Sequence, residues 1–203
     1  MISLYFGIPG AGKTTLLVKM AITEARRIVN GKSKYKNVFT NVEIDFPFVR
    51  QIPFDYLGKY NISDSLILID EASLFADNRD WKKMSDAFRD FVLTHRHYND
   101  DIVFFSQGWD AVDKKIRTCC NSVFYIKASK LLPSFTIIYQ LDYGIYIPVQ
   151  SADASSSYGE IAEGYRLPPF LSRLLAKRFW RKPWYKYFDS YDRKQLPDLP
   201  STI

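Results

Sequence analysis

Gly7-Ile8-Pro9-Gly10-Ala11-Gly12-Lys13-Thr14 satisfies G-x-x-x-x-G-K-[ST] at every fixed position. Directly before it, Ile2-Ser3-Leu4-Tyr5-Phe6 is an apolar run of strand length. After it, Lys13 to Asn30 has helical spacing: Leu17, Met20, Ala21, Ala25 and Ile28 form one stripe, and Gly31 closes it. A strand, a glycine-rich turn and a helix in that order make a phosphate cradle. Glycines let backbone N–H groups turn inward where a Cβ would obstruct them. The helix presents its positive end to the same anion. The pattern therefore predicts that Gly7, Pro9, Gly10, Ala11 and Gly12 surround phosphate and that Lys13 reaches the β- and γ-phosphates. It also predicts the Thr14 hydroxyl on Mg²⁺ and Thr15 toward the α-phosphate side. The expected ligand is a nucleoside triphosphate with Mg²⁺, and no N-K-x-D guanine signature accompanies it.

Working outward, Ser65-Leu66-Ile67-Leu68-Ile69 is a continuous apolar run ending in Asp70-Glu71. A strand covered on both faces reads this way. Its terminal carboxylate is placed as in a Walker B strand, where Asp70 holds Mg²⁺ through water. Glu71 is then the candidate general base for an attacking water. A further apolar run, Ile102-Val103-Phe104-Phe105, closes with Ser106-Gln107, and the amide of Gln107 is expected near the γ-phosphate as a sensor. Asp113-Lys114-Lys115-Ile116-Arg117 follows. Arg117 is a candidate arginine finger toward a neighbouring subunit, or else part of a solvated helix face.

Composition restricts the class. With 15 Phe, 14 Tyr and 4 Trp in 203 residues the chain is not disordered in bulk. Its two cysteines, Cys119 and Cys120, are neighbours and cannot staple distant segments, which predicts a reducing compartment. Met1 opens straight into the first strand, and no apolar run approaches the roughly 20 residues that span a bilayer. The expectation is a cytoplasmic chain, soluble or peripheral to a membrane. The net charge of +6 is uneven. Arg166 to Lys194 carries nine Lys/Arg against Asp189 and Asp192, a surplus of seven, so the rest of the chain is close to neutral.

The remaining stretches predict one α/β domain over 1–150, a Ser-rich linker over 151–165 and a basic aromatic tail over 166–203. Asn37 to Val42 reads as a strand, and 45–61, with Pro47 and Pro53, as an irregular connection with at most a short helix. Arg79 to His97 reads as a helix turning Met84, Phe88, Phe91, Val92 and His95 to the core. His95 and His97 stand at i, i+2 without a third ligand, so they read as polar residues of a helix end. Phe135 to Leu141 and Ile145 to Val149 read as a β-hairpin around Asp142-Tyr143-Gly144, with Pro148 suiting an edge. In the tail, Phe170, Leu171, Leu174, Leu175 and Phe179 recur at helical spacing opposite Arg173, Lys177 and Arg181. Such a helix suits an anionic membrane surface, single-stranded DNA, or packing on the domain.

Gly7 to Thr15, Leu66 to Ala72, Thr94-His95-Arg96-His97 with Asp101-Ile102, Ser106-Gln107 and Asp113 to Arg117 together resemble the Zot (zonular occludens toxin-like) family, the assembly and export ATPases of filamentous phages. The resemblance covers residues 1–150. It implies a P-loop core of the RecA or FtsK–HerA type; with the strand and hairpin readings above, the expected fold is α/β, a mostly parallel sheet with flanking helices and an added antiparallel hairpin. The resemblance also implies ATP hydrolysis during phage extrusion by a homo-oligomer at the cytoplasmic face of the host inner membrane, with single-stranded phage DNA or coat protein as cargo. By position it assigns Lys13 and Thr14 to nucleotide and Mg²⁺, Asp70 and Glu71 to Walker B, Gln107 to the sensor and Arg117 to the finger. Family members usually continue through a transmembrane helix into an extracytoplasmic domain; neither is in these 203 residues, so a cytoplasmic fragment or a short form docking through residues 166–194 is expected. Two other readings stay open beside the motor: a nucleotide-dependent switch with little turnover, and a host-directed, toxin-like interaction protein.

Overall fold

β1 (Ile2–Phe6) runs through the interior of an eight-stranded sheet, and its carboxyl end opens into the glycine loop. The computed structural model describes residues 1–72, 86–109, 111–112, 114–146, 162–166 and 176–189. After β1 come α1 (Lys13–Val29), β2 (Asn37–Thr40), β3 (Val49–Gln51), a 3-10 turn at Phe54–Tyr56 and β4 (Ser65–Ile69). Next are α2 (Asp86–Thr94), a 3-10 turn at His95–Tyr98, β5 (Asp101–Ser106), α3 (Lys114–Cys119), β6 (Ser122–Ala128) and β7 (Phe135–Gln140). β8 (Asp142–Tyr146), β9 (Ala162–Arg166), β10 (Lys177–Trp180) and a 3-10 turn at Lys182–Tyr187 complete the described chain.

The sheet order is β10-β7-β6-β1-β5-β4-β2-β3. The six strands from β6 to β3 are parallel, and β7 and β10 are antiparallel additions at one edge. Every residue of β4 and β5 is buried, as expected for strands covered on both faces. The two-residue strand period divides their side chains between two cores. Ile67, Ile69, Ile102 and Phe104 meet Phe88, Phe91 and Val92 of α2 on one face. Leu66, Leu68, Val103 and Phe105 meet Leu17, Val18, Ala21 and Ile22 of α1 on the other. α1 ends where Asn30 donates its N–H to the Arg26 carbonyl and Gly31 takes a φ of 64°, the left-handed turn that glycine supplies at helix ends.

This order places β5 between β1 and β4, so the residues that leave β5 stand between the glycine loop and Asp70. Phe6 pairs with Ser106 in register, and Ile69 pairs with Phe104. All three strands stop at the same edge of the sheet, and the candidate site is built there.

Several expectations are corrected. Residues 45–61 contain β3, an edge strand parallel to β2, in addition to the short 3-10 turn. The expected helix through His97 stops at Thr94 and tightens into a 3-10 turn; its start at 79–85, with Met84, lies outside the described residues. The hairpin expected between 135–141 and 145–149 does not form. β7 pairs with β6 on one edge and β10 on the other, so neither edge is left for the chain that follows. The antiparallel hairpin is β6–β7, and Asp142-Tyr143-Gly144, expected as its loop, opens β8, which pairs with β9 in a separate two-stranded sheet. Residues 147–150, including Pro148, lie outside the described residues.

The segment read as a linker contains most of β9, and 151–161 lie outside the described residues. The tail residues 167–175 and 190–203 likewise lie outside them. Its described part is not helical at Phe179: Lys177-Arg178-Phe179-Trp180 is β10, joined to the main sheet, with Phe179 buried. Among the described residues no helix is long and apolar enough to cross a membrane. Cys119 and Cys120 are free thiols, and burial pushes the Cys120 thiol up to about 12.

Candidate nucleotide site

The loop between β1 and α1 is shaped by what surrounds it. Gly7 extends the β1–β5 ladder by donating its N–H to the Ser106 carbonyl at 3.2 Å, and a Cβ on it would collide with the Ile126 carbonyl oxygen. Gly10 and Gly12 take φ values of 76° and 96°, which glycine adopts without steric cost. Gly12 caps α1 without a side chain, so the first N–H groups of the helix have no side-chain acceptor there. Lys13 is only 6% exposed, and its ammonium donates to the carbonyls of Gly7 at 2.9 Å and Ile8 at 3.3 Å. It is folded over the loop it belongs to. Burial pushes its pKa down, while Glu71 and Asp70 pull it up. The donor set fits a triphosphate: a glycine turn, a helix N-terminus and a buried cation lie together.

From the other side β4 delivers Asp70, 7% exposed. Thr14 donates its hydroxyl to Asp70 Oδ2 at 2.5 Å, joining the first turn of α1 to the end of β4. Burial pushes the Asp70 carboxyl up; the Thr14 hydroxyl, the Glu71 N–H and Lys13 act against it, and Glu71 adds to it. A divalent cation held by Thr14 and Asp70 would favour the ionised form, so the donor set fits Mg²⁺. Asn41, one residue past β2, fixes this carboxylate through its backbone. Its amide donates to the Asp70 carbonyl at 3.0 Å and accepts the Asp70 N–H at 2.8 Å. The side chain thus continues the β2–β4 ladder where the β2 backbone has turned away.

Glu71 follows in the left-handed region, with φ 50°. For a non-glycine residue this conformation costs energy, and here it is held by two partners. The Glu71 N–H donates to Asp70 Oδ1 at 3.0 Å, and the Gln107 amide donates to Glu71 Oε1 at 3.0 Å. Gln107 reaches Glu71 because it leaves β5, the strand next to β4.

Lys13, Thr14, Asp70, Glu71 and Gln107 are therefore brought to one place. Thr15 is buried in the first turn of α1, and Pro9 lies on the exposed crest of the loop. Arg117 sits on α3 with its guanidinium 4.9 Å from the centre of the Trp109 ring, and Trp109 packs on Phe6 just before the loop. Asp113, at the start of that motif, lies outside the described residues.

Three residues at the site escaped the sequence reading: Asn41, Thr136 and Arg181. Thr136 of β7 donates to the Ala11 carbonyl at 2.8 Å. Arg181, expected on the polar face of a tail helix, follows β10 and donates to the Gly10 carbonyl at 2.9 Å and to the Pro133 carbonyl. A polar residue ending β2 is a weak pointer to Asn41. Nothing local marks the other two, which reach the loop across 125 and 171 residues of chain.

The chain is similar to known proteins in part of its sequence and in its fold. Residues 49–136 match the family model described as Zonular occludens toxin (Zot), a span that holds Asp70, Glu71, Gln107 and Arg117 but not the glycine loop. The crystal structure of the N-terminal domain of zonular occludens toxin from Neisseria meningitidis is similar over 93% of this chain and 98% of that one, at 20% identity and a TM-score of 0.52. B204, the DNA-packaging ATPase from Sulfolobus Turreted Icosahedral Virus, is similar over 68% of this chain and 91% of its own, at 13% identity and a TM-score of 0.48. B204 from Sulfolobus turreted icosahedral virus 2 in complex with ATP-gammaS gives the same figures. No curated protein matches the chain.

Proposed function

From the Zot family likeness, shown by the family model and the Neisseria domain, and from a P-loop NTPase fold, we propose that this chain is an ATP-hydrolysing motor of filamentous phage assembly and export. It moves single-stranded phage DNA or coat protein at the host inner membrane. The observation that carries the reading is the convergence of the Thr14–Asp70 and Gln107–Glu71 hydrogen bonds beside the Lys13 ammonium. Bound ATP with Mg²⁺ supplies the γ-phosphoryl group that is transferred to water. Lys13 contributes positive charge against the phosphates, and Thr14 with Asp70 would hold the metal. Glu71 accepts the proton of the attacking water, and Gln107 orients the Glu71 carboxylate from the neighbouring strand.

The chain acts as a homo-oligomer on the cytoplasmic side, with Arg117 offered to a neighbouring subunit and residues 166–194 facing the membrane. Exposed Trp180 and Tyr185 among Lys177, Arg178, Lys182 and Lys186 support contact with an anionic surface.

The test is ATP hydrolysis by the full chain, alone and with single-stranded DNA or anionic phospholipid vesicles. Turnover that needs Mg²⁺ and rises with either addition is expected. ATP bound but left unhydrolysed under every condition would overturn the motor in favour of a nucleotide-dependent switch.

A further inference from the structure

The glycine loop is held from behind by the antiparallel edge of the sheet. Thr136, fully buried in β7, donates its hydroxyl to the Ala11 carbonyl at 2.8 Å. Arg181, just after β10, donates one guanidinium nitrogen to the Gly10 carbonyl at 2.9 Å and the other to the Pro133 carbonyl. Its own N–H donates to the Ser134 carbonyl at 2.9 Å, so the residue is fixed at both ends of its side chain. Gly12 packs directly on both groups: a Cβ on it would collide with Thr136 Oγ1 and lie 2.8 Å from Arg181 Cδ. Two consecutive carbonyls of the loop are thereby anchored by two side chains that no phosphate-loop pattern contains.

In a planar trans peptide the C=O of one residue and the N–H of the next point in opposite directions. A carbonyl held from the β7 side therefore fixes where the following N–H goes. With the Ala11 carbonyl on Thr136, the Gly12 N–H points away from the Thr136 hydroxyl and so away from β7. With the Gly10 carbonyl on Arg181, the Ala11 N–H is set in the turn it now closes with the Ile8 carbonyl, at 3.2 Å. We propose that Thr136 and Arg181 are positioning residues for nucleotide binding: Thr136 aims the Gly12 amide at phosphate by holding the Ala11 carbonyl, and Arg181 holds the Ile8–Ala11 turn in shape through the Gly10 carbonyl. The inference rests on the nucleotide reading of the loop. It adds that the antiparallel extension β7–β10 is a working part of the cradle.

The experiment uses the full chain, with ADP and ATP as probes, titration calorimetry for affinity and the ¹H–¹⁵N signal of Gly12 for the amide. Thr136→Val and Arg181→Ala each weaken ADP binding by about tenfold, the worth of one well-placed hydrogen bond. Thr136→Ser, which keeps the hydroxyl, stays within about twofold. In the native chain ADP moves the Gly12 amide proton downfield, and in Thr136→Val that displacement shrinks, a change that general loosening of the fold does not produce. A folded Thr136→Val with native ADP affinity and a native Gly12 displacement overturns the proposal while leaving the nucleotide site standing. If Thr136→Val does not fold, Arg181→Ala, a change at a partly exposed side chain, decides: unchanged ADP affinity there overturns it. Failure of the native chain to bind either nucleotide overturns the site and the brace together.

Discussion

Thr14 and Asp70, 56 residues apart in the chain, are joined by a hydrogen bond of 2.5 Å. It is the seam of the site, because it ties the first turn of the helix after the glycine loop to the end of the second strand from β1. A hydroxyl and a buried carboxylate at that separation are the two groups a hard cation needs close together. The predictions below follow from what lies on either side of this seam.

Lys13 lies over the loop on two carbonyls, so its ammonium is placed without help from a ligand. Lys13→Ala removes a charge-assisted contact and should weaken ATP binding by about ten- to a hundredfold, with little change in melting temperature. Titration with a fluorescent ATP analogue checks this. Native affinity in the variant would remove the loop from the site.

Glu71 and Gln107 should separate binding from turnover. Glu71→Gln keeps the shape of the side chain but cannot take a proton, and hydrolysis should drop by about 100- to 10,000-fold at unchanged ATP affinity. Gln107→Ala leaves Glu71 without its donor and should lower turnover by a smaller factor. Steady-state hydrolysis beside equilibrium binding distinguishes the two variants. A Glu71→Gln chain that hydrolyses at the native rate ends the assignment of the base.

Asn41 replaces a backbone rung. Asn41→Ala leaves the Asp70 N–H and carbonyl without these partners and should cost about 1–3 kcal/mol. For a domain of this size that is a fall of several degrees in melting temperature. Denaturant unfolding measures it. Asn41→Asp, which keeps the acceptor but not the donor, should recover part of the loss.

At the opposite edge of the sheet, Asp100 is 1% exposed and accepts the Ser65 N–H at 2.9 Å. Burial, with Asp64 and Asp101 nearby, pushes its carboxyl up to about 7; the Ser65 N–H and the terminal amino group act against that. The folded chain thus holds a proton that the unfolded chain has released between about pH 4 and pH 7. Stability should fall as pH rises through that window, and the raised Asp70 carboxyl adds to the same slope. Asp101, lowered to about 2 by Lys34, the terminal amino group and Tyr35 against the effect of burial, acts in the opposite sense only below that window. Urea unfolding at pH 5 and pH 8 tests this. Asp100→Asn should flatten the difference, and an unchanged slope would remove Asp100 as its source.

What was legible in the residues was whatever is local. The glycine loop, the apolar runs of β1, β4 and β5 and the carboxylate and amide that end them are short patterns in which a backbone requirement or a covered strand dictates residue type. The order of the parallel strands then needs only right-handed crossovers to carry those ends to one edge. Pairing among the last four strands was not legible, because alternation along 135–149 suits any partner and only the occupied edges of β7 decide. The groups that hold the site in shape belong to the same class. Asn41, Thr136 and Arg181 are ordinary polar residues in their own neighbourhoods. They matter only because the folded sheet sets them against backbone atoms far away in the chain, and hydrogen bonds across such distances leave no spacing to read.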